Sequence, residues 1–260
     1  MLEFFRAIRL PNVLLVALAQ FLVLARCNSL SFKNVLLLLL TSLWILWGNM
    51  DNDIQDLELD TTFKKKKENK LIGWLSSDSR GIYLERTFLI LSLSMSIFIS
   101  VQAILLTMLA WSGLKFYNLY FKKTLLIGNL IIALLCTASL HVFDLGEEKP
   151  SILLSCLIFT ATLLRELVKD KEDEKADKAC GYKTLAIKCD PIVFKIILFG
   201  LGIALTFLAY EYMKSYDYVF TIFILLQLSQ FYFILKEQWK KASLTIKIQV
   251  LIGVIMIEFI

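Results

Sequence analysis

Hydrophobic positions along the chain collect into nine runs of spanning or near-spanning length, at about 11–25, 34–50, 83–100, 102–121, 124–143, 150–168, 191–211, 217–235 and 243–260. A helix needs roughly 20 apolar residues to cross a bilayer core, so the pattern predicts membrane helices. The third and fourth runs have no Gly or Pro between them before Gly113. One helix over 83–121 would be too long for a single span, which places the turn near Ser100 to Gln102. The expected architecture is all-α: a polytopic membrane helical bundle forming one domain over residues 1–260, with about nine transmembrane helices around a central cavity.

Two runs end in unusual polar sequence. Behind the run that closes at Trp47 comes Asn49-Met50-Asp51-Asn52-Asp53-Ile54-Gln55-Asp56-Leu57-Glu58-Leu59-Asp60. At about 100° per residue, Asn49, Asn52, Asp53, Asp56 and Asp60 fall within an arc of roughly 100°, while Asp51 and Glu58 point elsewhere. The run Ile152 to Leu164 continues into Arg165 to Asp177, where Glu166, Lys169, Asp170, Asp173 and Asp177 share an arc in the same way. Carboxylates clustered beside hydrocarbon are costly unless cations compensate them, and hard oxygen ligands suit a divalent metal. Two acidic helix ends, each with Asp near i, i+3/i+4 and i+7/i+8, are expected to be two walls of one metal–diphosphate site.

Composition and charge agree with this picture. The chain is 58% hydrophobic with three Pro and ten Gly, too apolar for an ordinary soluble domain. A cytoplasmic N-terminus puts 24 of the 28 basic residues on the cytoplasmic side, leaving Arg26, Lys33, Lys149 and Lys214 outside. The net charge of +5 therefore reports membrane topology and contact with membrane lipids, and no nucleic-acid partner is expected. Both acidic ends then face the cytoplasm and the C-terminus lies outside; a bacterial inner membrane is the expected location. Cys27, Cys136, Cys156, Cys180 and Cys189 form no CxxC pair and His141 is the one histidine, which gives no Cys/His zinc site. Ala25-Arg26-Cys27 is a poor signal-peptide cleavage site, so the first helix is expected to be retained.

The remaining polar positions fall into place around these ends. Residues 1–12 form a short basic amphipathic lead-in, with Arg6 and Arg9 read as a membrane anchor, and Pro11 suits the first turn of a helix. Lys64 to Lys67 form a cytoplasmic loop that could cap the site or contact anionic lipid. Tyr117, Lys122 and Lys123 sit at an interfacial turn, and Asn129, one turn inside the next helix, needs a hydrogen-bond partner. Gly181 offers a turn after the second acidic end, from which Lys183 and Thr184 can reach back toward phosphate. The last three helices, with Gln227, Ser229 and Gln230 as their main polar groups, read as scaffold.

These residues resemble the UbiA-type intramembrane prenyltransferases. Asn52-Asp53-Ile54-Gln55-Asp56-Leu57-Glu58-Leu59-Asp60 matches that family's NDxxDxxxD motif. Arg165 to Asp170 through Asp173 and Asp177, then Gly181-Tyr182-Lys183-Thr184-Leu185, is similar to its second motif, and Tyr117, Lys122, Gly128 and Asn129 match a YxxxxKxxxxxGN pattern between the two. The Gly-Asn pair resembles the branch of geranylgeranylglyceryl-phosphate geranylgeranyltransferases. The chain departs from the family where Lys64 to Leu75 lacks prolines, where Ala176 and Ala186 stand at a usual Gly and Pro, and where Lys171 and Glu174 replace apolar residues.

The resemblance implies a transfer of a prenyl group from a prenyl diphosphate to a membrane-soluble acceptor, a quinone precursor or a phosphoglycerol lipid, with Mg2+ as cofactor. It implies that Asp53, Asp56 and Asp60 serve one ion and Asp170, Asp173 and Asp177 another. Lys122, Lys169, Lys183 and Tyr117 are the implied catalytic residues, and Asn49, Asn52, Asn129, Arg165 and Thr184 the implied substrate-binding ones. A cation transporter using the paired acidic helix ends and a CDP-alcohol phosphotransferase are the competing readings, and a diverged, weakly active member of the same family is a further alternative. The first lacks an ionisable series across the bilayer, and the second lacks its DG and AR elements.

Overall fold

The computed structural model describes residues 2–62, 70–77, 79–143 and 151–258, without the side chains of Leu2, Glu3, Arg6, Glu58, Leu59, Asp60 and Glu258. The Lys64–Lys67 run and the Asp60 carboxylate thus lie outside the described residues. All regular structure among the described residues is helical, and the chain divides into two compact units, 1–121 with 142–146 and 122–141 with 147–260.

The first unit contains α1 (Leu2–Ala7), α2 (Leu10–Arg26), α3 (Phe32–Gln55), α4 (Leu57–Thr62), α5 (Lys70–Ser76), α6 (Arg80–Ile99) and α7 (Val101–Leu119). Helix α3 is its axis and packs against α2, α5, α6 and α7. It starts at a capped end, where the Ser31 hydroxyl accepts the Asn34 N–H at 3.2 Å. The turn between α6 and α7 falls at Ser100, as the length argument requires: its backbone is extended and its hydroxyl caps α7 by accepting the Ala103 N–H. Two buried polar contacts join these helices. Ser96 and Thr107 share a buried hydroxyl contact of 2.7 Å between α6 and α7, and the Thr41 hydroxyl reaches Gln20 at 2.8 Å between α3 and α2.

The amphipathic lead-in packs by one side into the first unit, with Phe4 and Phe5 left exposed. Ala7 and Ile8 are buried in a core with Met50, Ile72 and Leu75, so α1 is held against α3 and α5 by apolar burial. Pro11 does sit in the first turn of α2.

The second unit contains α8 (Ile127–Ala138), α9 (Ile152–Ala179), α10 (Leu185–Lys188), α11 (Pro191–Met213), α12 (Asp217–Leu235) and α13 (Trp239–Ile255). Here α9 is the axis, packed against α8, α11 and α13. The Asp190 carboxylate caps α11 by accepting the N–H groups of Ile192 and Val193, ahead of Pro191 in the first turn. Helix α9 ends in a left-handed residue, Gly181 at φ 73°, with Tyr182 N–H donating to the Asp177 carbonyl and Gly181 N–H to Lys178. This two-bond closure satisfies the last carbonyls and reverses the chain.

The three scaffold helices hold more polar contact than their sequence suggests. The Gln249 side chain on α13, not singled out beforehand, donates to Gln227 on α12 at 2.9 Å in a fully buried site. Gly202 on α11 lets α12 approach so closely that an added Cβ would lie 2.4 Å from Phe231 and 2.5 Å from the Gln227 amide.

All nine hydrophobic runs fall on helices, namely α2, α3, α6 to α9 and α11 to α13. As spans they divide differently: among the described residues four helices, α3, α6, α11 and α12, are both long and apolar enough to cross a membrane. Helices α2 and α8 are shorter, with 17 and 12 residues, and α9 carries its charged extension within one helix. The count of nine spans is therefore a count of nine helices.

Substituting Gly202 by Val should lower the thermal unfolding midpoint of the detergent-solubilised protein, corresponding to about 1–3 kcal/mol of overpacking. An unchanged midpoint would show that α11 and α12 can separate at no cost. Gly181→Ala meets no neighbour, so only the left-handed backbone resists it, and a loss of about 1 kcal/mol is expected in the same assay.

Candidate active site

In the first unit the acidic sequence begins as the last turn of α3. The helix stays regular to Gln55, Asp56 is its C-cap at φ −92° and ψ 1°, and α4 starts at Leu57. The single helix expected over 49–60 is thus broken at Asp56. The Asp56 N–H still donates to the Asn52 carbonyl at 2.9 Å, and the Asn52 amide donates to the Asp56 carboxylate at 3.1 Å, so both bonds hold the last turn that closes at Asp56. Asn52 is buried, while Asp53 and Asp56 are half-buried.

Two contacts tie this end to the chain's start. Asn49 donates its amide to the Ile8 carbonyl at 2.8 Å, and the Arg9 guanidinium lies 2.6 Å from the Asp53 carboxylate. Arg9 itself has left-handed backbone, φ 49° and ψ 51°, at the joint between α1 and α2. A residue read as a membrane anchor is therefore the cation on the acidic face, a pairing across 44 residues that no local pattern announces. On the other side of α3, Asp51 is buried and accepts from Asn118 at 2.7 Å and Lys115 at 3.2 Å. Tyr117 sits half-buried near the end of α7.

In the second unit the charged C-terminal part of α9 carries the other acidic set. Asn129, in the first turn of α8, finds the partner it needs: its amide donates to the Asp170 carboxylate at 2.8 Å. Asp177 and Glu166 are buried, Asp173 is half-buried, and Arg165 and Lys169 both pair with Glu166. Burial pushes the Asp170 carboxyl up to about 7; the Asn129 hydrogen bond opposes this, and the negative charges of Glu166 and Asp177 add to it.

After the Gly181 reversal the chain runs back beside the turn that follows α7. Lys183 N–H donates to the Lys123 carbonyl at 3.0 Å and Leu185 N–H to the Leu125 carbonyl at 2.8 Å, so Lys183 and Thr184 are brought next to the Lys122–Lys123 turn. Lys123 also lies over the Tyr182 ring at 5.7 Å. Thr184 is 1% exposed, and its hydroxyl makes no hydrogen bond among the described residues. Lys122 is half-buried and Lys183 exposed.

The donor set of both ends is carboxylate and amide oxygen, the chemistry of a hard divalent cation. Asp170, enclosed near two other acids with a neutral amide as partner, is a group whose charged form a bound cation would favour. Among the described residues no three Asp, Glu, His or Cys side chains converge closely enough to hold a metal ion. The reason is helix rise: seven residues span about 10 Å. Asp170, Asp173 and Asp177 therefore do not close around one ion as they stand; carboxylates one turn apart are the natural pairs.

Known proteins give the family. Residues 13–250 match the model of the UbiA prenyltransferase family. The digeranylgeranylglyceryl phosphate synthase of Sulfurisphaera tokodaii is 30% identical, covering 71% of this chain and 69% of the relative. The Methanococcus maripaludis C7 protein of the same name is 29% identical, covering 94% and 92%. These relatives are archaeal, which lends no support to the expected bacterial membrane. Among solved structures, a UbiA homologue from Archaeoglobus fulgidus bound to GPP and Mg2+ superposes with a TM-score of 0.67 at 17% identity, covering 98% of this chain and 99% of that one. An apo UbiA homologue from Aeropyrum pernix K1 gives 0.72 at 14% identity, covering 95% and 98%. The fold is UbiA-like, and the chain belongs to the UbiA prenyltransferase family, enzymes of the membrane.

Proposed function

We propose that this enzyme transfers a prenyl group from a prenyl diphosphate to a phosphoglycerol lipid and releases diphosphate, with Mg2+ as cofactor and the acidic ends of α3 and α9 on the cytoplasmic side. The observation that carries the reading is the pair of helices, one in each unit, that continue past apolar sequence into carboxylates set among amides and bases. The Archaeoglobus homologue is described with GPP and Mg2+, which supports the donor and the metal. Relatives matching nearly the full chain are named for making digeranylgeranylglyceryl phosphate, which favours a phosphoglycerol acceptor over a quinone precursor.

Bound Mg2+ would supply charge to the leaving diphosphate as the allylic C–O bond breaks. Asp53 and Asp56, with Asn52 orienting Asp56, would hold metal at α3; Asp170 and Asp173, with Asp177 a turn beyond, would hold it at α9. Asn129 fixes the Asp170 carboxylate in direction. Lys183, Lys122 and Lys169 would hold diphosphate oxygens by charge-assisted hydrogen bonds, and the buried Thr184 hydroxyl would donate to the same ligand. Tyr117, Asn49 and Arg165 complete the proposed substrate-binding and catalytic set. Apolar helix surface would take the prenyl tail and keep water from the allylic cation.

The test is Mg2+-dependent diphosphate release by the protein in lipid, with prenyl diphosphates of several lengths and a panel of phosphoglycerol and quinone-precursor acceptors. Release should require a phosphoglycerol acceptor. Asp53→Ala and Asp173→Ala should each abolish turnover with folding intact, and full activity in both would sink the site assignment. Thr184→Val is expected to raise the KM for the prenyl diphosphate by about tenfold, the worth of one hydrogen bond to a charged group. An unaltered KM would remove Thr184 from the binding set.

A further inference from the structure

The buried side of α3 carries a charge network that the proposed chemistry does not use. Asp51 precedes Asn52 and is only 6% exposed. Its carboxylate accepts from Asn118 on α7 at 2.7 Å through one oxygen and from Lys115 on α7 at 3.2 Å through the other. Lys115 continues to Glu85 on α6 at 2.9 Å, so an acid–base–acid chain joins three helices. One turn earlier the same face is tightly packed: Trp47 stacks on Trp111 at 4.8 Å between ring centres and 13° between planes. An added Cβ on Gly48 would lie 3.2 Å from Leu114.

Packing alone would not place a charge here. A buried ion pair is weak evidence for stability, because apolar residues of the same volume usually hold a fold as well or better. Its better-attested use is to fix register. Asp51 sits four residues before α3 ends, where helical hydrogen bonds run out and the chain would otherwise fray. Successive residues differ by about 100° around a helix, so anchoring Asp51 on α6 and α7 sets the direction of Asn52, Asp53 and Asp56. The network is directional where a leucine would be free to rotate.

We propose that Asp51 is a positioning residue: through Asn118 and the Lys115–Glu85 pair it fixes the rotation of the last turn of α3, and so the affinity of the Asp53–Asp56 face for its divalent cation. The assignment rests on the function proposed above, and the experiment separates the two. The full-length protein in lipid nanodiscs is titrated with Mn2+ as the probe, bound and free ion being read by electron paramagnetic resonance. The Mg2+ dependence of turnover is measured in parallel for wild type, Asp51→Leu, Asp51→Asn, Lys115→Met and Asp53→Ala.

Asp51→Leu should weaken the Asp53-dependent Mn2+ binding by about tenfold or more, the usual effect of losing a group that orients a metal ligand. The Mg2+ concentration for half-maximal rate should rise by the same factor, with kcat at saturating Mg2+ within about twofold of wild type. Asp51→Asn, which can still accept from Asn118, should recover most of the affinity. Asp51→Leu that folds and binds Mn2+ as wild type does overturns the proposal, as does a fall in kcat with unchanged affinity. If Asp51→Leu does not fold, Lys115→Met decides: weaker Mn2+ binding supports the proposal and unchanged binding overturns it. Wild type with no Asp53-dependent Mn2+ signal overturns the function proposal itself, and this one with it.

Discussion

A carboxylate at the edge of hydrocarbon must be paired, hydrogen-bonded or hydrated, and the structure is arranged around meeting that demand more than once. Two helices, α3 and α9, carry acids out of apolar sequence, and the neighbouring elements of each unit are set by how those acids are answered. In the first unit the answers include cations, Arg9 on Asp53 and Lys115 on Asp51, beside the amides of Asn118 on Asp51 and Asn52 on Asp56. In the second, Asp170 is answered by the neutral amide of Asn129, while Glu166 takes Arg165 and Lys169. The joint between α1 and α2, the close approach of α7 to α3, and the docking of α8 on α9 all end at one of these contacts.

Elements governed by local rules were legible in the sequence. Each of the nine apolar runs falls on a helix among the described residues, because a hydrocarbon environment leaves the backbone no alternative. Span length alone placed the Ser100 turn, and Gly181 with the polar residues around it marked the end of α9. The partner for Asn129 was required by the cost of an amide at that depth, though its identity as Asp170 came only from the packing of α8 on α9.

What stayed hidden depends on contacts between distant residues or on competition within a few. Arg9 has the composition of a positive-inside anchor, and only the burial of Ala7 and Ile8 on Met50 carries it to Asp53. Asp51 was set aside because it leaves the acidic face, and leaving that face is what brings it to Asn118 and Lys115. Helical arithmetic carried the acidic arc to Asp60 without interruption, whereas the Asn52 amide bonds the Asp56 carboxylate and the helix closes there. Gln249 sits in a helix with lysines at 240, 241 and 247, and nothing in its local sequence separates it from a surface residue until α12 presents Gln227.

The two acidic ends differ in the partners their carboxylates meet. A guanidinium 2.6 Å from Asp53 uses the charge of that carboxylate within the protein, so any cation arriving there must displace or share it. Asn129 is neutral, and the cation acting on Asp170 is the neighbouring Lys169 at longer range. An amide directs the Asp170 carboxylate without neutralising it, and the nearby Glu166 and Asp177 raise the electrostatic gain from a bound cation. Asp53 thus meets a cation directly, whereas Asp170 meets a neutral amide with Lys169 and Arg165 one residue removed, on Glu166. That difference follows from which partner each acid meets, an arginine at the start of the chain or an asparagine at the start of α8.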